Sequence, residues 1–203
     1  MLSEAQERVD GWFVRNARVL RDAFRIGFGA IWLLDGSLKF APGFPAAFSG
    51  SISGQGQPGW LAPWFAFWAA QVNPDPAFWV YLVGTLEVLL GLALVFGFVR
   101  KIAYTGGLLL SLFIWAVPEG FGGPYGPGST DIGTGIVYGV VFLSLFILDA
   151  TYGPSPWSLD RFLERRFPSW ASVAEIKGFY RGGPSRREPS PGAGTAGGGG
   201  PGP

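Results

Sequence analysis

A single glutamate lies deep inside a long apolar stretch of this sequence, where the energetic cost of a charged carboxylate calls for a function or a partner. Glu87 is ten residues into the segment 77–99, about 15 Å along a helix at about 1.5 Å per residue. A charge at the centre of a membrane-spanning helix costs at least about 2.5–3.5 kcal/mol. Gly84 and Gly91 lie on the same helical stripe, and small residues there let a second helix pack closely. We therefore expect Glu87 to face the interior of a helix bundle.

A second pair of ionisable residues, Asp35 and Lys39, lies one helical turn apart near the end of another apolar stretch. An acid four residues before a base is the favourable order for an ion pair within a helix. Two interpretations stay open. The pair neutralises itself, or Lys39 is the cationic handle for an anionic or quinone-like ligand.

Two further carboxylates, Glu119 and Asp131, flank a loop rich in glycine and proline. Asp131 can cap the helix that follows, which is a common role for aspartate, and its spacing also places it on the helical face of Tyr138. Together these groups predict a pocket at one end of the bundle, with Glu87 beneath it. Its predicted polar residues are Asp35, Lys39, Glu119, Tyr125, Asp131 and Tyr138, and its predicted walls are Trp32, Trp64, Trp68 and Trp115. For Trp64 and Trp68 a second interpretation stays open, in which their rings anchor the external segment at the level of the lipid head groups. A mostly apolar cavity with a few convergent polar groups is the usual form of a ligand site.

The composition excludes several kinds of chemistry. The chain has no cysteine and no histidine, and its single methionine is Met1. Thiol relays, disulfide exchange, structural zinc with the usual ligands and haem held by histidine, methionine or cysteine are therefore excluded. We expect no metal and no intrinsic cofactor, so a redox role would need a bound organic cofactor, a quinone or a partner chain.

Four apolar stretches must position these groups, each near the ~20 residues that a helix needs to cross ~30 Å of hydrocarbon. They run over about 22–40, 77–99, 102–117 and 131–150. Lysine and arginine flank the inner ends of these stretches, whereas the segments 41–76 and 118–130 contain neither. Because these bases mark the cytoplasmic side, both termini are predicted to be cytoplasmic and the pocket to open outward.

Shorter segments surround this predicted membrane domain, which we place at 20–150. They are a cytoplasmic amphipathic segment at 1–19, an external aromatic segment at 59–72, a cytoplasmic surface helix at 151–181 and a disordered tail at 182–203. Arg18, Arg21, Asp22 and Arg25 share one face at the inner boundary, and we expect them to anchor to lipid head groups. The predicted fold class is all-α, an integral membrane four-helix bundle with short interfacial helices.

Several motifs also occur together in a characteristic order. They are Arg25-Ile-Gly-Phe-Gly and Gly36-Ser-Leu-Lys39-Phe, Gly84-Thr-Leu-Glu87-Val-Leu-Leu-Gly91, and the block Glu119…Tyr125…Thr130-Asp131-Ile-Gly133. In this order they resemble the DoxX/DoxD family of small four-helix membrane proteins, over about residues 20–150. The run Gly59-Trp-Leu-Ala-Pro-Trp-Phe-Ala-Phe-Trp68 is similar to the actinobacterial branch and to the membrane subunit of thiosulfate:quinone oxidoreductase.

The resemblance implies a multi-pass protein of the bacterial cytoplasmic membrane, a subunit of a quinone-linked oxidoreductase that acts on thiosulfate or another small donor. Glu87 and Lys39 would then be catalytic: Lys39 attracts an anion or a quinone oxygen, and Glu87 exchanges protons. A non-catalytic scaffold that docks a soluble redox enzyme, and a small-solute transporter, stay open as alternatives. The expected partners are the lipid bilayer, with a soluble redox protein or a second copy of the chain left open; nucleic acid is not expected.

Overall fold

All regular secondary structure is helical over the residues that the structure, a computed structural model, describes. These are residues 2–48, 52, 57–123, 131–153 and 155–176, with side chains from Gly11 onward. This part of the chain contains no strand, which confirms the all-α prediction. Tyr125 and the predicted tail at 182–203 lie outside the described residues.

Eight α-helices, with three short 3₁₀ turns, make up the described chain. They are α1 (Leu2–Leu38), α2 (Phe44–Phe48), α3 (Ala62–Val72), α4 (Pro76–Phe96), α5 (Arg100–Ala116), α6 (Thr134–Tyr152), α7 (Leu159–Arg166) and α8 (Ala171–Ala174). The four long helices α1, α4, α5 and α6 overlap the four predicted apolar stretches, although α1 begins 20 residues before the first stretch and α6 begins three residues after the start of the fourth. Helix α1 is continuous from Leu2, so the boundary predicted between residues 19 and 20 is not a helix break.

Local signals set the ends of α4. Asp75 precedes the helix and its side chain accepts a hydrogen bond from the Phe78 N–H at 3.0 Å, while Pro76 occupies the first turn. The helix stops at Gly97, whose φ of 62° lies in the left-handed region that glycine adopts without a steric penalty. This stop turns the chain back into α5.

Glycines bring α1 and α4 into backbone contact as an antiparallel pair. A Cβ added at Gly36 would lie 2.9 Å from both the Glu87 Cβ and the Val88 N, and one at Gly91 would lie 2.9 Å from the Gly29 O. The predicted small-residue stripe around Glu87 therefore does face another helix. Since α1 ends beside α4 in this pairing, Lys39 lies next to Glu87.

Helices α5 and α6 form the second antiparallel pair, and an aromatic core joins it to α1. A Cβ at Gly135 would lie 2.7 Å from the Ser111 O, so these two backbones also touch. In the core, the Trp32 ring packs 5.6 Å from the Phe142 ring, and both side chains are fully buried. The four long helices thus pack around one apolar centre.

The outward faces of these helices are apolar. Leu89 on α4 and Val140 on α6 are 57% and 58% exposed, whereas the buried residues of the same helices include Glu87 and Asp149. A helix on the surface of a soluble protein shows the opposite distribution. By length and composition, α4 and α6 are the two described helices that could cross a membrane.

A buried network of charges closes the end of the molecule opposite Lys39. Arg100 is its centre and contacts Asp149 at 3.2 Å, Asp160 at 3.1 Å and Glu175 at 2.5 Å. Asp160 also caps α5, because its carboxylate accepts the Val99 and Arg100 N–H groups at 2.8 and 3.0 Å. The network therefore fastens the segment 155–176, which carries α7 and α8, to the ends of the long helices.

The basic residues of α1 belong to this network rather than to a lipid-facing surface. Arg21, Asp22 and Arg25 are 3%, 0% and 1% exposed. Arg21 contacts Asp149 at 3.0 Å, and Arg25 donates to the Trp157 carbonyl at 2.7 Å. The prediction that these side chains reach lipid head groups is wrong for Arg21, Asp22 and Arg25, which are buried; Arg18 is exposed, and its Nε donates to the Tyr152 carbonyl at 3.0 Å.

Candidate functional site

A cavity of about 250 Å³ opens among the ends of α1, α4, α5 and α6, next to α2. Its walls are mostly apolar, with a small set of polar groups. The polar lining residues are Asp35, Lys39, Ser111, Glu119, Thr134 and Tyr138; the aromatic ones besides Tyr138 are Phe44, Phe48, Trp79 and Phe113. Small-molecule sites typically measure about 300–1,000 Å³, so this cavity suits a ring-sized group or a small solute.

Lys39 is the centre of charge at this site. Its Nζ lies 2.6 Å from the Glu87 Oε2 and 3.2 Å from the Asp35 Oδ2, and 6.0 Å from the centre of the Phe44 ring. The lysine side chain is 15% exposed and that of Glu87 is 0% exposed, so this ion pair is shielded from solvent. The intrahelical pair Asp35–Lys39 exists as predicted, but Lys39 also holds a second carboxylate from another helix.

Glu87 lies behind the cavity wall rather than in it. Apart from its ion pair with Lys39, neither carboxylate oxygen has a hydrogen-bond partner among the described residues. The pairing depends on the close approach of Gly36 to the Glu87 backbone, which only a residue without a side chain allows. Glu87 therefore communicates with the cavity through Lys39.

Glu119 reaches the cavity while capping a helix that is distant in sequence. Its carboxylate accepts hydrogen bonds from the Thr134 hydroxyl and from the Gly135 N–H, the latter at 2.9 Å. These are donors at the start of α6, where a negative charge also interacts favourably with the helix dipole. Asp131 instead accepts from the Gly133 N–H at 2.7 Å and is not a lining residue. Because α6 begins only at Thr134, Asp131 does not share a helical face with Tyr138.

Ser111 is a lining residue that the sequence analysis missed. Its side chain is 0% exposed, and its Oγ has no hydrogen-bond partner in the described part of the protein. The available signal was a hydroxyl inside an apolar stretch, although most such residues only bond to their own helix. Tyr138, which the sequence did predict, lines the same cavity.

The four predicted tryptophan walls lie outside this cavity. Trp32 is in the central core, and Trp68 packs on Phe113 with ring centres 5.0 Å apart. Trp64 and Trp115 donate their indole N–H groups to the carbonyls of Ala116 and Ile132 at 2.9 and 2.8 Å. These two rings therefore bond to the end of α5 and to a residue shortly before α6, and Trp79 provides the indole that lines the cavity.

Metal-binding clusters and similar proteins can both indicate a function. No cluster of three or more histidine, cysteine, aspartate or glutamate side chains suited to a metal ion occurs among the described residues. No family model, curated protein or solved structure matches this chain. Its function is therefore argued from the geometry of the cavity.

Proposed function

We propose that the chain is a DoxX/DoxD-like protein whose four long helices cross the bacterial cytoplasmic membrane, with both termini inside. The apolar outer faces of α4 and α6 and the burial of Glu87 and Asp149 support this placement, because a bilayer inverts the usual pattern of surface polarity. The segments 41–76 and 118–130, which contribute the lining residues Phe44, Phe48 and Glu119, contain no lysine or arginine. The cavity then lies at the outer surface and the Arg100 network at the inner one.

Within this membrane protein we assign the cavity to a quinone, so that the chain is the membrane subunit of a quinone-linked oxidoreductase. The observation that carries the assignment is the mostly apolar cavity with a buried Lys39–Glu87 pair at its wall. An ammonium has three N–H donors. Two are directed to Glu87 and Asp35, and the third is available to a quinone oxygen.

Reduction of a quinone to a quinol takes up two electrons and two protons. In this proposal the electrons come from a small donor, thiosulfate or another, that a soluble partner oxidises. Lys39 holds the quinone oxygen, and Glu87 exchanges protons with the site through Lys39. The aromatic walls, including Trp79 and Phe113, keep the ring out of water.

The test compares Glu87→Gln with Asp131→Asn, a control carboxylate that is not a lining residue. Positioned acid–base groups contribute about 10²–10⁴-fold to rates, so Glu87→Gln should lower quinone reduction by the membrane complex about 100-fold or more. Asp131→Asn should stay within about twofold of the parent. Unchanged turnover of Glu87→Gln would remove the proton-exchange role, and mass spectrometry of the purified chain should find a retained quinone.

A second function, a scaffold for a soluble redox enzyme, is favoured by the rigid mounting of α7. Asp160 and Glu164 tie this helix to Arg100, while Arg165, Arg166 and Phe162 are exposed on it. Purification in mild detergent separates the two functions. A stoichiometric soluble oxidoreductase that is lost in an Arg165→Glu/Arg166→Glu variant, together with no retained quinone, favours the scaffold.

A further inference from the structure

Ser111 differs from most of the other described serines and threonines within the long helices. The hydroxyls that follow the usual rule donate to the carbonyl four residues earlier, at 2.6–2.9 Å; they are Ser37, Thr85, Thr105, Ser144 and Thr151. Ser111 makes no such bond, although its side chain is fully buried. A buried hydroxyl without a partner costs about 1–3 kcal/mol of desolvation, and this one lies in a cavity wall. It is therefore placed to bond with a molecule in the cavity.

The charges at the cavity limit what that molecule can be. Lys39 is the one base among the described lining residues, and the neighbouring segments 41–76 and 118–130 contain no lysine or arginine in their sequence. Against it stand three carboxylates, of which Asp35 and Glu119 line the cavity and Glu87 pairs with Lys39 from behind. The carboxylates outnumber the base, so a small anion entering the cavity meets net repulsion.

We propose that Ser111 anchors an uncharged ring ligand by donating a hydrogen bond to its carbonyl oxygen, and that the cavity excludes small anions such as thiosulfate. This proposal makes the ligand of the proposed function more specific. The choice of a quinone as the natural ligand rests on that proposed function. Aromatic side chains suited to contact with a flat ring line the cavity, and these include Trp79, Phe113 and Tyr138. If thiosulfate is the donor, its oxidation then belongs to the soluble partner and not to this cavity.

The binding experiment uses the full chain in lipid nanodiscs, with quenching of tryptophan fluorescence as the readout. The probes are menadione, a neutral quinone; 1-tetralone, a neutral ring carbonyl that is inert to reduction; and sodium thiosulfate. Both ring probes should bind the parent protein. Thiosulfate should neither quench nor compete at millimolar concentration. Competition by thiosulfate with menadione, or failure of both ring probes to bind, would overturn the proposal.

Three variants test the role of the hydroxyl. Loss of one neutral hydrogen bond corresponds to about a 3- to 10-fold change in affinity, so Ser111→Ala should weaken both ring probes by that factor. Ser111→Cys, close to serine in size but a weak donor, should weaken them similarly, which separates hydrogen bonding from packing. Ser144→Ala removes a hydroxyl that bonds its own helix on an exposed face and should bind like the parent. Parental affinity of Ser111→Ala and Ser111→Cys would refute the anchor.

The inert probe makes this result independent of the redox assignment. If tetralone binding depends on Ser111 but the membrane complex does not reduce quinone, the ligand class is supported and the oxidoreductase function is rejected. Quinone reduction that depends on Glu87, with binding indifferent to Ser111, would sustain the oxidoreductase and reject the anchor.

Discussion

Replacing Lys39 with methionine should expose how strongly the cavity depends on its single base. Lys39 Nζ lies 2.6 Å from the Glu87 Oε2, and the two side chains are 15% and 0% exposed. Removing one partner of a buried ion pair costs about 3–5 kcal/mol, because the other charge is left uncompensated. Asp35 offers no replacement, since it carries the same sign as Glu87. We therefore expect Lys39→Met to lower the free energy of unfolding by about 3–5 kcal/mol.

Denaturant titration in detergent micelles, followed by helical circular dichroism, measures this loss. Lys101→Met is the matched control: Lys101 is exposed, its Nζ lies 3.4 Å from the Ser172 carbonyl, and the change should stay within about 0.5 kcal/mol. The double variant Lys39→Met/Glu87→Met replaces both charges with apolar groups and should recover most of the loss. A loss below about 1 kcal/mol for the single variant, or a double variant less stable than it, contradicts a buried pair.

Three further predictions concern Gly36, Arg100 and Glu164. Gly36→Ala should destabilise the protein by about 1–3 kcal/mol in the same titration, because its Cβ would lie 2.9 Å from the backbone of α4, whereas Gly27→Ala, with nothing within 4 Å, should be neutral. Arg100→Met should cost about 3–5 kcal/mol and release the segment 155–176 to limited proteolysis, since it leaves buried carboxylates unpaired; a protected segment would argue against the network. Burial and then the neighbouring carboxylate of Glu175 raise the pKa of Glu164 from 4.5 to about 7. The folded protein therefore favours the protonated form of Glu164, so the contribution of this residue to stability is fully present below pH 4.5 and is lost as the pH rises through 7. Hydrogen exchange of α7 should rise over that interval in the parent, and Glu164→Gln should abolish the rise.

The long helices and the pairing of Glu87 with a glycine-lined face were accessible from sequence. Apolar length locates α4 and α6, and the spacing of Gly84 and Gly91 around Glu87 indicates a close helix contact that the structure contains. These features depend on neighbours within one or two helical turns. Local periodicity carries that kind of information.

The partners of the charged residues were not accessible in the same way. Arg100 binds carboxylates 49 to 75 residues away, and Glu119 caps a helix 15 residues further on. A pattern on one helix does not reveal which distant segment returns to it, so Arg21 and Arg25 were assigned to lipid although they are buried in protein. The tryptophans were predicted to line the cavity, and they lie elsewhere for a related reason. An indole N–H bonds to whichever carbonyl the fold provides, as Trp64 does with Ala116. Such a ring is held by contacts within the protein and does not line the cavity.

The two polar ends of the molecule differ in what lies beside their charged groups: the inner groups hold a segment of the chain in place, and the outer groups line a cavity. At the inner end, Arg100 has a carboxylate or carboxylates on every guanidinium nitrogen, and Asp160 bonds two backbone N–H groups. These bonds hold the segment 155–176 in place, although Arg25 Nε, Tyr104 Oη and Ser155 Oγ nearby have no hydrogen-bond partner among the described residues. At the outer end, Ser111 lacks a partner and Lys39 retains one N–H beyond its two carboxylates, both beside a cavity. Burial makes an unsatisfied group costly wherever it occurs, and because Ser111 and Lys39 line the cavity, a molecule bound there can supply the missing partner.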